Sequence, residues 1–187
     1  MIVIFGKTRS GKDTVARYFV ENLGYKFNVS YTDRPIRDTE VNGREHWFVS
    51  TEDMDKIYKS DTVTLKTHIV DPVESLKDRN YKGYRYCTKK ANLNDKTVAI
   101  LDYNGIVELA KSGIEFKTVF VTSSYKVRKD RALSTNIDLK AFEKRCRDEY
   151  AQFVDGVQDC ADFVIDNSGT LEELYSKIDK VIECIRG

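Results

Sequence analysis

Residues 2–14 read IVIFGKTRSGKDT, an apolar run followed by a glycine, four further residues and then Gly-Lys. The apolar run predicts a strand buried on both faces, and apolar positions four apart from Val15 to Leu23 predict a helix that Gly24 ends. Between a strand and a helix, glycines let backbone amides close around phosphate oxygens, and the helix N-terminus favours the anion. The stretch therefore predicts a phosphate-binding loop.

The residues of this loop have separate predicted roles. Lys12 neutralises nucleotide phosphates, although a plain glycine turn with Lys12 in solvent is the alternative. The next position normally carries a Ser or Thr that ligates Mg²⁺, but here it is Asp13. Asp13 either holds Mg²⁺ or caps the helix while Thr14 supplies a hydroxyl. The predicted phosphate contacts, which include Asp13 and Thr14 as candidate metal ligands, are Gly6, Ser10, Gly11, Lys12, Asp13 and Thr14.

Similar strand patterns recur along the chain. Buried apolar runs are VAILD (98–102), TVFVT (118–122) and DFVID (162–166). Helical patterns lie between and after them, including a charged segment over 139–160 and a final helix that begins with a Thr170-x-x-Glu173 capping box. Strands that alternate with helices predict an α/β fold with a central parallel sheet.

Residues 25–88 follow a different pattern. Apolar and polar residues alternate over 27–31 and 62–65, and a turn is predicted at 41–44. This predicts a small mixed β lobe inserted after the first helix, and we expect the lobe to move relative to the rest. The chain shows no repeat, low-complexity tract or linker that would separate independent domains.

Composition excludes several classes of partner. The 187 residues carry 31 basic and 30 acidic side chains, so the net charge of +1 favours neither nucleic acid nor a membrane. The four cysteines form no C-x-x-C pair, which predicts ordinary thiols in a reducing cytoplasm. No stretch approaches the about 20 apolar residues that span a bilayer. We expect a cytoplasmic monomer or homodimer.

A second anion site is predicted at Arg34 and Arg37, which lie three positions apart. Two guanidiniums can bind a dianionic monophosphate through bidentate hydrogen bonds. The run SYTDRPIRDTEVNGREHWFVS (30–50) resembles the S-x-T-T-R-x-x-R-x-G-E-x-x-G-x-x-Y-x-F-V-S motif of guanylate kinases. The residues in register are Arg34, Arg37, Glu40, Gly43, Phe48, Val49 and Ser50.

The resemblance to guanylate kinases extends over nearly the whole chain. Further similar segments are Tyr86-Cys87-Thr88 (Y-G-S/T), Ile100-Leu101-Asp102 (a strand ending in Asp), Arg131 with Glu143-Lys144-Arg145 (lid arginines) and Phe163–Asn167 (a late strand). It implies a P-loop kinase with a core over 1–28 and 96–187, a monophosphate-binding lobe over about 29–95 and a helical lid over about 128–147.

The resemblance also implies ATP and Mg²⁺ on the loop and a nucleoside monophosphate, above all GMP or dGMP, as phosphoryl acceptor. Lobe closure would complete the site, and no nucleophilic side chain is required. The implied catalytic residues are Lys12, Arg34, Arg131 and Arg145. The implied monophosphate-binding residues are Ser30, Arg34, Arg37, His46, Tyr86, Thr88 and Asp102, with Thr88 facing the base.

Three departures from the family pattern bear on the site. His46 replaces a tyrosine and either donates to phosphate or is an ordinary half-buried strand histidine. Ser134-Thr135-Asn136 occupies the position of one lid arginine, and Arg128 is either its substitute or a solvated helix residue. Asp71, Glu74 and Asp78 compete for the role of the acidic residue that reads guanine, because the spacing before Tyr86 is altered.

These departures leave two alternatives open. One is a kinase for another deoxynucleoside monophosphate or for a phosphorylated sugar. The other is a non-catalytic guanylate-kinase-like module that binds a phosphorylated peptide through Arg34 and Arg37. Such a module has no need of Lys12, so ATP binding separates it from an enzyme.

Overall fold

The structure, a computed structural model, describes residues 1–38, 40–69, 78–80, 82–150, 153 and 156–187. Strands lie at β1 (Ile2–Phe5), β2 (Lys26–Phe27), β3 (Tyr31–Thr32), β4 (Trp47–Phe48), β5 (Val63–Ile69), β6 (Tyr84–Lys89), β7 (Thr97–Ile100), β8 (Lys117–Thr122) and β9 (Phe163–Asp166). Helices lie at α1 (Lys12–Leu23), α2 (Thr51–Lys59), α3 (Tyr103–Lys111), α4 (Tyr125–Ser134), α5 (Leu139–Asp148) and α6 (Leu171–Arg186).

The chain divides into two compact units. The first unit comprises residues 1–27, 98–103 and 116–187, and the second comprises 28–97 and 104–115. The second unit therefore takes in most of α3, a segment that the sequence analysis placed in the core.

The first unit contains a five-stranded sheet in the order β2-β7-β1-β8-β9. β1 pairs in parallel with β7 and with β8, and β8 pairs in parallel with β9. Because parallel strands end at the same edge of a sheet, the segments after β1, β8 and β9 meet there. In open α/β sheets this carboxyl edge is where ligands bind.

The core of the first unit explains why the opening sequence folds as it does. All four side chains of β1 are buried, as a strand covered on both faces requires. Val15 and Phe19 of α1 and Ile178 of α6 are fully buried in the same cluster. Thr170 and Glu173 form the predicted capping box, with both reciprocal hydrogen bonds present.

The second unit contains a four-stranded sheet in the order β4-β3-β6-β5. β3 is antiparallel to β6, with Tyr31 opposite Cys87 and Thr32 opposite Tyr86. Met54 of α2 packs against Cys87 on one face, and burial raises the pKa of that thiol to about 11. Since side chains alternate along a strand, Thr32 and Tyr86 point to the opposite face.

Two boundaries differ from the sequence analysis. The helical pattern over 139–160 forms α5, which ends at Asp148, and then a short 3-10 helix over Val157–Cys160. Gly156, with φ of 87°, precedes that turn in a left-handed conformation that does not continue a helix. The predicted strand over 98–102 occupies Thr97–Ile100.

None of the helices in the described part of the chain is both long enough and apolar enough to cross a membrane.

Candidate active site

Two glycines shape the loop between β1 and α1. Gly6 has φ of 144°, and a Cβ atom there would lie 2.1 Å from the carbonyl oxygen of Val121. Gly11 has φ of 100°, and its Cβ would lie 2.1 Å from Asn167 Nδ2. Both positions therefore require glycine for conformation and for space. The loop follows β1 at the carboxyl edge of the parallel sheet, as the sequence predicts.

Lys12 lies on the first turn of α1 and points back to the loop. Its Nζ donates to the carbonyl oxygens of Gly6, at 2.8 Å, and Lys7, at 2.9 Å. Burial lowers the pKa of Lys12, while the charges of Glu149 and Asp13 act in the opposite direction. An ammonium group that is partly removed from water attracts an incoming anion more strongly than one in bulk water does, so Lys12 is placed to bind phosphate.

Asn167 closes the loop from the neighbouring strand. It follows β9 directly, it is buried, and its Nδ2 donates to Ser10 O at 2.8 Å. Arg131 of α4 donates through Nη2 to Asn167 O at 2.9 Å and through Nη1 to Ser10 O at 3.3 Å. The predicted lid arginine is thus held by main-chain carbonyls around the loop, and Ser10 itself is wholly buried.

Asn167 has no role among those predicted from the sequence. The available signal was its position, since a polar residue directly after a buried strand lies at the carboxyl edge of the sheet. We expect Asn167→Ala to weaken ATP binding by about threefold to tenfold, because Ser10 O loses the shorter of its two side-chain hydrogen bonds and keeps only the one from Arg131. Titration calorimetry with MgATP measures this, with the exposed Asn22→Ala on α1 as control. Equal affinities for Asn167→Ala and Asn22→Ala would contradict this role.

The loop also contacts the predicted lid. Arg128 of α4 is buried and donates to Thr8 O at 3.3 Å, so it is not a solvated surface arginine. Glu149, at the end of α5, accepts a hydrogen bond from the Thr8 N–H at 2.8 Å. Arg145 is exposed, and its charge contributes to the lowered pKa of Lys12. The predicted lid residues Arg131 and Arg145 and the unassigned Glu149 therefore surround one loop.

The candidate metal ligands are hard oxygen donors on α1. Gly11 is the N-cap of that helix, so Asp13 lies in the first turn and is not the capping residue. Asp13 is exposed and Thr14 is partly buried. Within the described residues no group of three His, Cys, Asp or Glu side chains could hold a metal by itself. A carboxylate and a hydroxyl fit Mg²⁺ that is held mainly by phosphate oxygens and water.

A separate cluster of polar and aromatic side chains lies in the second unit. Ser30 Oγ and His46 Nδ1 are 2.8 Å apart. The His46 ring meets the Tyr86 and Phe48 rings at centroid distances of 5.5 and 5.7 Å. Burial first, and then the charge of Arg34, lower the pKa of His46, which favours a neutral imidazole. Three of the predicted monophosphate-binding residues, Ser30, His46 and Tyr86, are therefore neighbours.

Arg34 is fixed by Glu40 beside this cluster. Its Nη1 and Nη2 donate to the two carboxylate oxygens of Glu40 at 3.0 and 2.8 Å, and its guanidinium lies 5.3 Å from the Phe48 ring centre. Arg37 is 66% exposed and 3.9 Å from the same carboxylate. The two predicted arginines thus meet at Glu40, which the sequence analysis placed in register without a role.

The Glu40 carboxylate predicts a pH dependence of stability. The hydrogen bonds from Arg34 lower the pKa of Glu40 from 4.5 to about 2. A lowered carboxyl pKa stabilises the folded state above about pH 4.5, and this contribution is lost as pH falls toward 2. We expect Glu40→Gln to lower the free energy of unfolding by about 1–2 kcal/mol at neutral pH, after allowance for solvent screening.

Unfolding by urea across pH measures this contribution. The difference between wild type and Glu40→Gln should shrink as pH falls from 4.5 toward 2. The control Glu21→Gln, at an exposed position of α1, should change the free energy of unfolding at neutral pH by less than about 0.5 kcal/mol. A difference between Glu40→Gln and wild type that does not change with pH would contradict the assignment.

The other residues predicted to contact the acceptor differ in burial and in position along the chain. Thr88 is 1% exposed, and its Oγ1 accepts from Asn28 Nδ2 at 3.1 Å. Asp102 lies between β7 and α3. Asp78 is exposed, whereas Asp71 and Glu74 lie outside the described residues. It stays a prediction that Thr88 contacts the base and that Asp102 contacts the acceptor. The identity of the acidic residue that recognises guanine also stays a prediction.

Comparison with known proteins decides the family. A family model described as "Guanylate kinase" matches residues 1–184. The chain belongs to the guanylate kinase family. A crystal structure of guanylate kinase from Anaplasma phagocytophilum superposes with a TM-score of 0.63 at 18% identity, covering 100% of this chain and 84% of that one. The predicted α/β P-loop fold, with a parallel sheet flanked by helices, is thereby confirmed.

Relatives of this guanylate kinase family member carry two different names. The guanylate kinase of Rhodopseudomonas palustris (strain ATCC BAA-98 / CGA009) is 26% identical over an alignment of 194 positions, which covers 95% of this chain and 80% of that protein. The dephospho-CoA kinase of Aquifex aeolicus (strain VF5) is 28% identical over an alignment of 191 positions, which covers 97% of this chain and 95% of that protein. The family supports a nucleoside monophosphate kinase with ATP as co-substrate, typically with a metal ion, and small-molecule substrates.

Proposed function

We propose that this enzyme transfers the γ-phosphoryl group of ATP to a nucleoside monophosphate, with GMP and dGMP as the preferred acceptors. The observation that carries the proposal is the glycine loop closed around Lys12, with Arg131 and Asn167 bonded to its main chain. The cluster of Ser30, Arg34 and His46 supplies a second anion site, as the in-register motif requires.

The chain's own residues bind and orient the reacting groups. Lys12 and the loop amides hold the triphosphate, and Arg131 and Arg145 add positive charge where the equatorial oxygens of the transferred group gain negative charge. Arg34 and Arg37 bind the acceptor phosphate, and Ser30, His46 and Tyr86 orient it. Asp13 and Thr14 would hold Mg²⁺, which neutralises phosphate charge when bound.

The neutral state of His46 matters for its proposed role. A neutral imidazole hydrogen-bonded to Ser30 either donates or accepts, depending on its tautomer. An incoming phosphate dianion favours the donor form and, because it is a nearby negative charge, raises the pKa of the ring. His46 can therefore replace the tyrosine of the family pattern at the acceptor phosphate.

Dephospho-CoA is a second candidate acceptor. The relative from Aquifex aeolicus carries that activity in its name and matches this chain over nearly its whole length. The residues that would read a guanine base are not assigned, whereas the P-loop serves either acceptor. We favour a nucleoside monophosphate because the motif over 30–50 is in register with guanylate kinases.

Release of ADP from MgATP, with GMP, dGMP, AMP, CMP, UMP, dTMP and dephospho-CoA supplied singly, tests the proposal. Turnover confined to GMP and dGMP supports it. Turnover with dephospho-CoA alone would support the second candidate and overturn the proposed acceptor, and turnover with another base would change only the identity of the monophosphate. ATP binding without turnover of any acceptor would contradict the proposed acceptor class, and absence of ATP binding would favour a phosphopeptide-binding module.

Cellular location is part of the same proposal. The four cysteines, Cys87, Cys146, Cys160 and Cys184, are free thiols. Free thiols accord with the reducing cytoplasm, where we place this enzyme.

A further inference from the structure

The main chain of the phosphate loop already holds an anionic side chain. The N–H of Thr8 donates to Glu149 Oε2 at 2.8 Å, a contact that joins residues 141 positions apart. Phosphate-binding loops act by directing backbone N–H groups at negative charge. The Glu149 carboxylate therefore accepts a hydrogen bond from a backbone N–H of the kind that binds phosphate in such loops.

The same carboxylate binds the stretch of main chain that holds the lysine of the loop. It accepts from the N–H of Thr8, the residue after Lys7, and Lys12 Nζ donates to Lys7 O at 2.9 Å and to Gly6 O at 2.8 Å. The Thr8 amide and the Lys12 ammonium would both bind a polyphosphate.

Both lid helices contact the loop at Thr8. Glu149 follows α5, and its own N–H donates to Arg145 O, so the carboxylate is carried by the end of that helix. Arg128 of α4 donates to Thr8 O at 3.3 Å and to Cys146 Sγ at 3.5 Å. Thr8 is therefore engaged through its N–H by one lid helix and through its carbonyl by the other.

We propose that Glu149 is an internal competitor for ATP: its carboxylate occupies the anion position at Thr8, and ATP binds by displacing it. This inference rests on the proposed function. A phosphate oxygen and a carboxylate cannot both take a full hydrogen bond from one N–H, and their charges repel at contact. Displacement frees the end of α5 from the loop, so ATP binding and release of this lid contact are coupled.

An internal competitor lowers the apparent affinity for each anion that needs the same amide. Removal of the charge should therefore tighten binding. For one charge-assisted hydrogen bond in a partly exposed site, we expect Glu149→Gln to bind MgATP about threefold to tenfold more tightly than wild type. Glutamine keeps the size of the side chain and an oxygen acceptor, so the fold should be retained.

Titration calorimetry at constant ionic strength, with MgATP and with inorganic tripolyphosphate, tests the proposal. The neighbouring Asp148→Asn removes the same charge from an exposed position and should change either affinity less than about twofold. Thermal unfolding of each variant confirms that it is folded. Tighter binding of both probes by Glu149→Gln alone supports the proposal.

Other outcomes separate this proposal from the proposed function. Equal tightening in Glu149→Gln and Asp148→Asn would show a general charge effect and overturn the competitor role. Weaker binding by Glu149→Gln would mean that the carboxylate assists ATP and would also overturn it. Unchanged affinities in both variants would contradict displacement while leaving the ATP site intact. Absence of binding in wild type would contradict the ATP site itself.

Discussion

Lys12→Met is expected to lower kcat/KM for MgATP by about 10²- to 10³-fold, which corresponds to about 3–4 kcal/mol of transition-state stabilisation. The ammonium is partly removed from water and placed by Gly6 O and Lys7 O at the loop. Methionine keeps the apolar stem and removes the charge. Phosphoryl transfer depends on positioning and charge, so loss of this cation should affect kcat as well as KM.

The stability of Lys12→Met should change much less than its activity. Burial lowers the pKa of Lys12, so the folded state gains from removal of a desolvated charge while it loses two hydrogen bonds to carbonyls. Lys140→Met, on an exposed position of α5, is the matched control and should retain wild-type kcat/KM. Steady-state kinetics and thermal unfolding measure both quantities. Turnover by Lys12→Met at the wild-type rate would refute the proposed mechanism.

The loop could be predicted from the sequence because its determinants are local. The apolar run of β1, the spaced glycines and the apolar positions of α1 follow one another within 23 residues, and the structure contains each of them. Gly6 and Gly11 could be assigned to the loop from their spacing alone, although it is contact with Val121 and Asn167 that excludes a side chain at these positions. Local geometry and long-range contact favour the same residue at these positions.

The contacts of Asn167, Glu149 and Arg128 could not be predicted in the same way. Each depends on which strands and helices end beside the loop, and sequence spacing does not report this. Asn167 becomes a loop contact only because β9 pairs with β8, which pairs with β1. The segment over 139–160 was misleading for a related reason, since its helical pattern of charged and apolar residues continues past Asp148, where α5 ends.

The motif resemblance predicted residues that lie together in the second unit, but not the hydrogen bonds among them. Ser30, His46 and Tyr86 come from different strands or strand ends and meet because β3 pairs with both β4 and β6. The role of Glu40 follows from its bidentate hydrogen bonds to Arg34, which an R-x-x-R pattern does not reveal. The charge balance of this arginine therefore has to be tested by substitution.

Arg34→Lys is expected to lower kcat/KM for the monophosphate acceptor by about 10²-fold, with KM for MgATP changed less than about twofold. Lysine keeps the charge but lacks the planar fork that binds Glu40 with two hydrogen bonds and leaves further N–H groups for a phosphate. The effect should appear mainly in the KM of the acceptor if the ground state and the transition state use the same contact.

Steady-state kinetics with each substrate varied in turn separate the two effects of Arg34→Lys. Arg44→Lys is a matched control in the same unit, because Arg44 is 59% exposed and pairs with Glu45 on the surface; it should retain wild-type kinetics. The double variant Arg34→Met/Glu40→Gln distinguishes positioning from folding, because it removes the cation and the carboxylate together and leaves neither charge of the pair without its partner. If Arg34 acts on the acceptor phosphate, the double variant remains impaired for the acceptor even where its stability matches that of Glu40→Gln. Recovery of wild-type KM in the double variant would instead show that Arg34 serves only to neutralise Glu40.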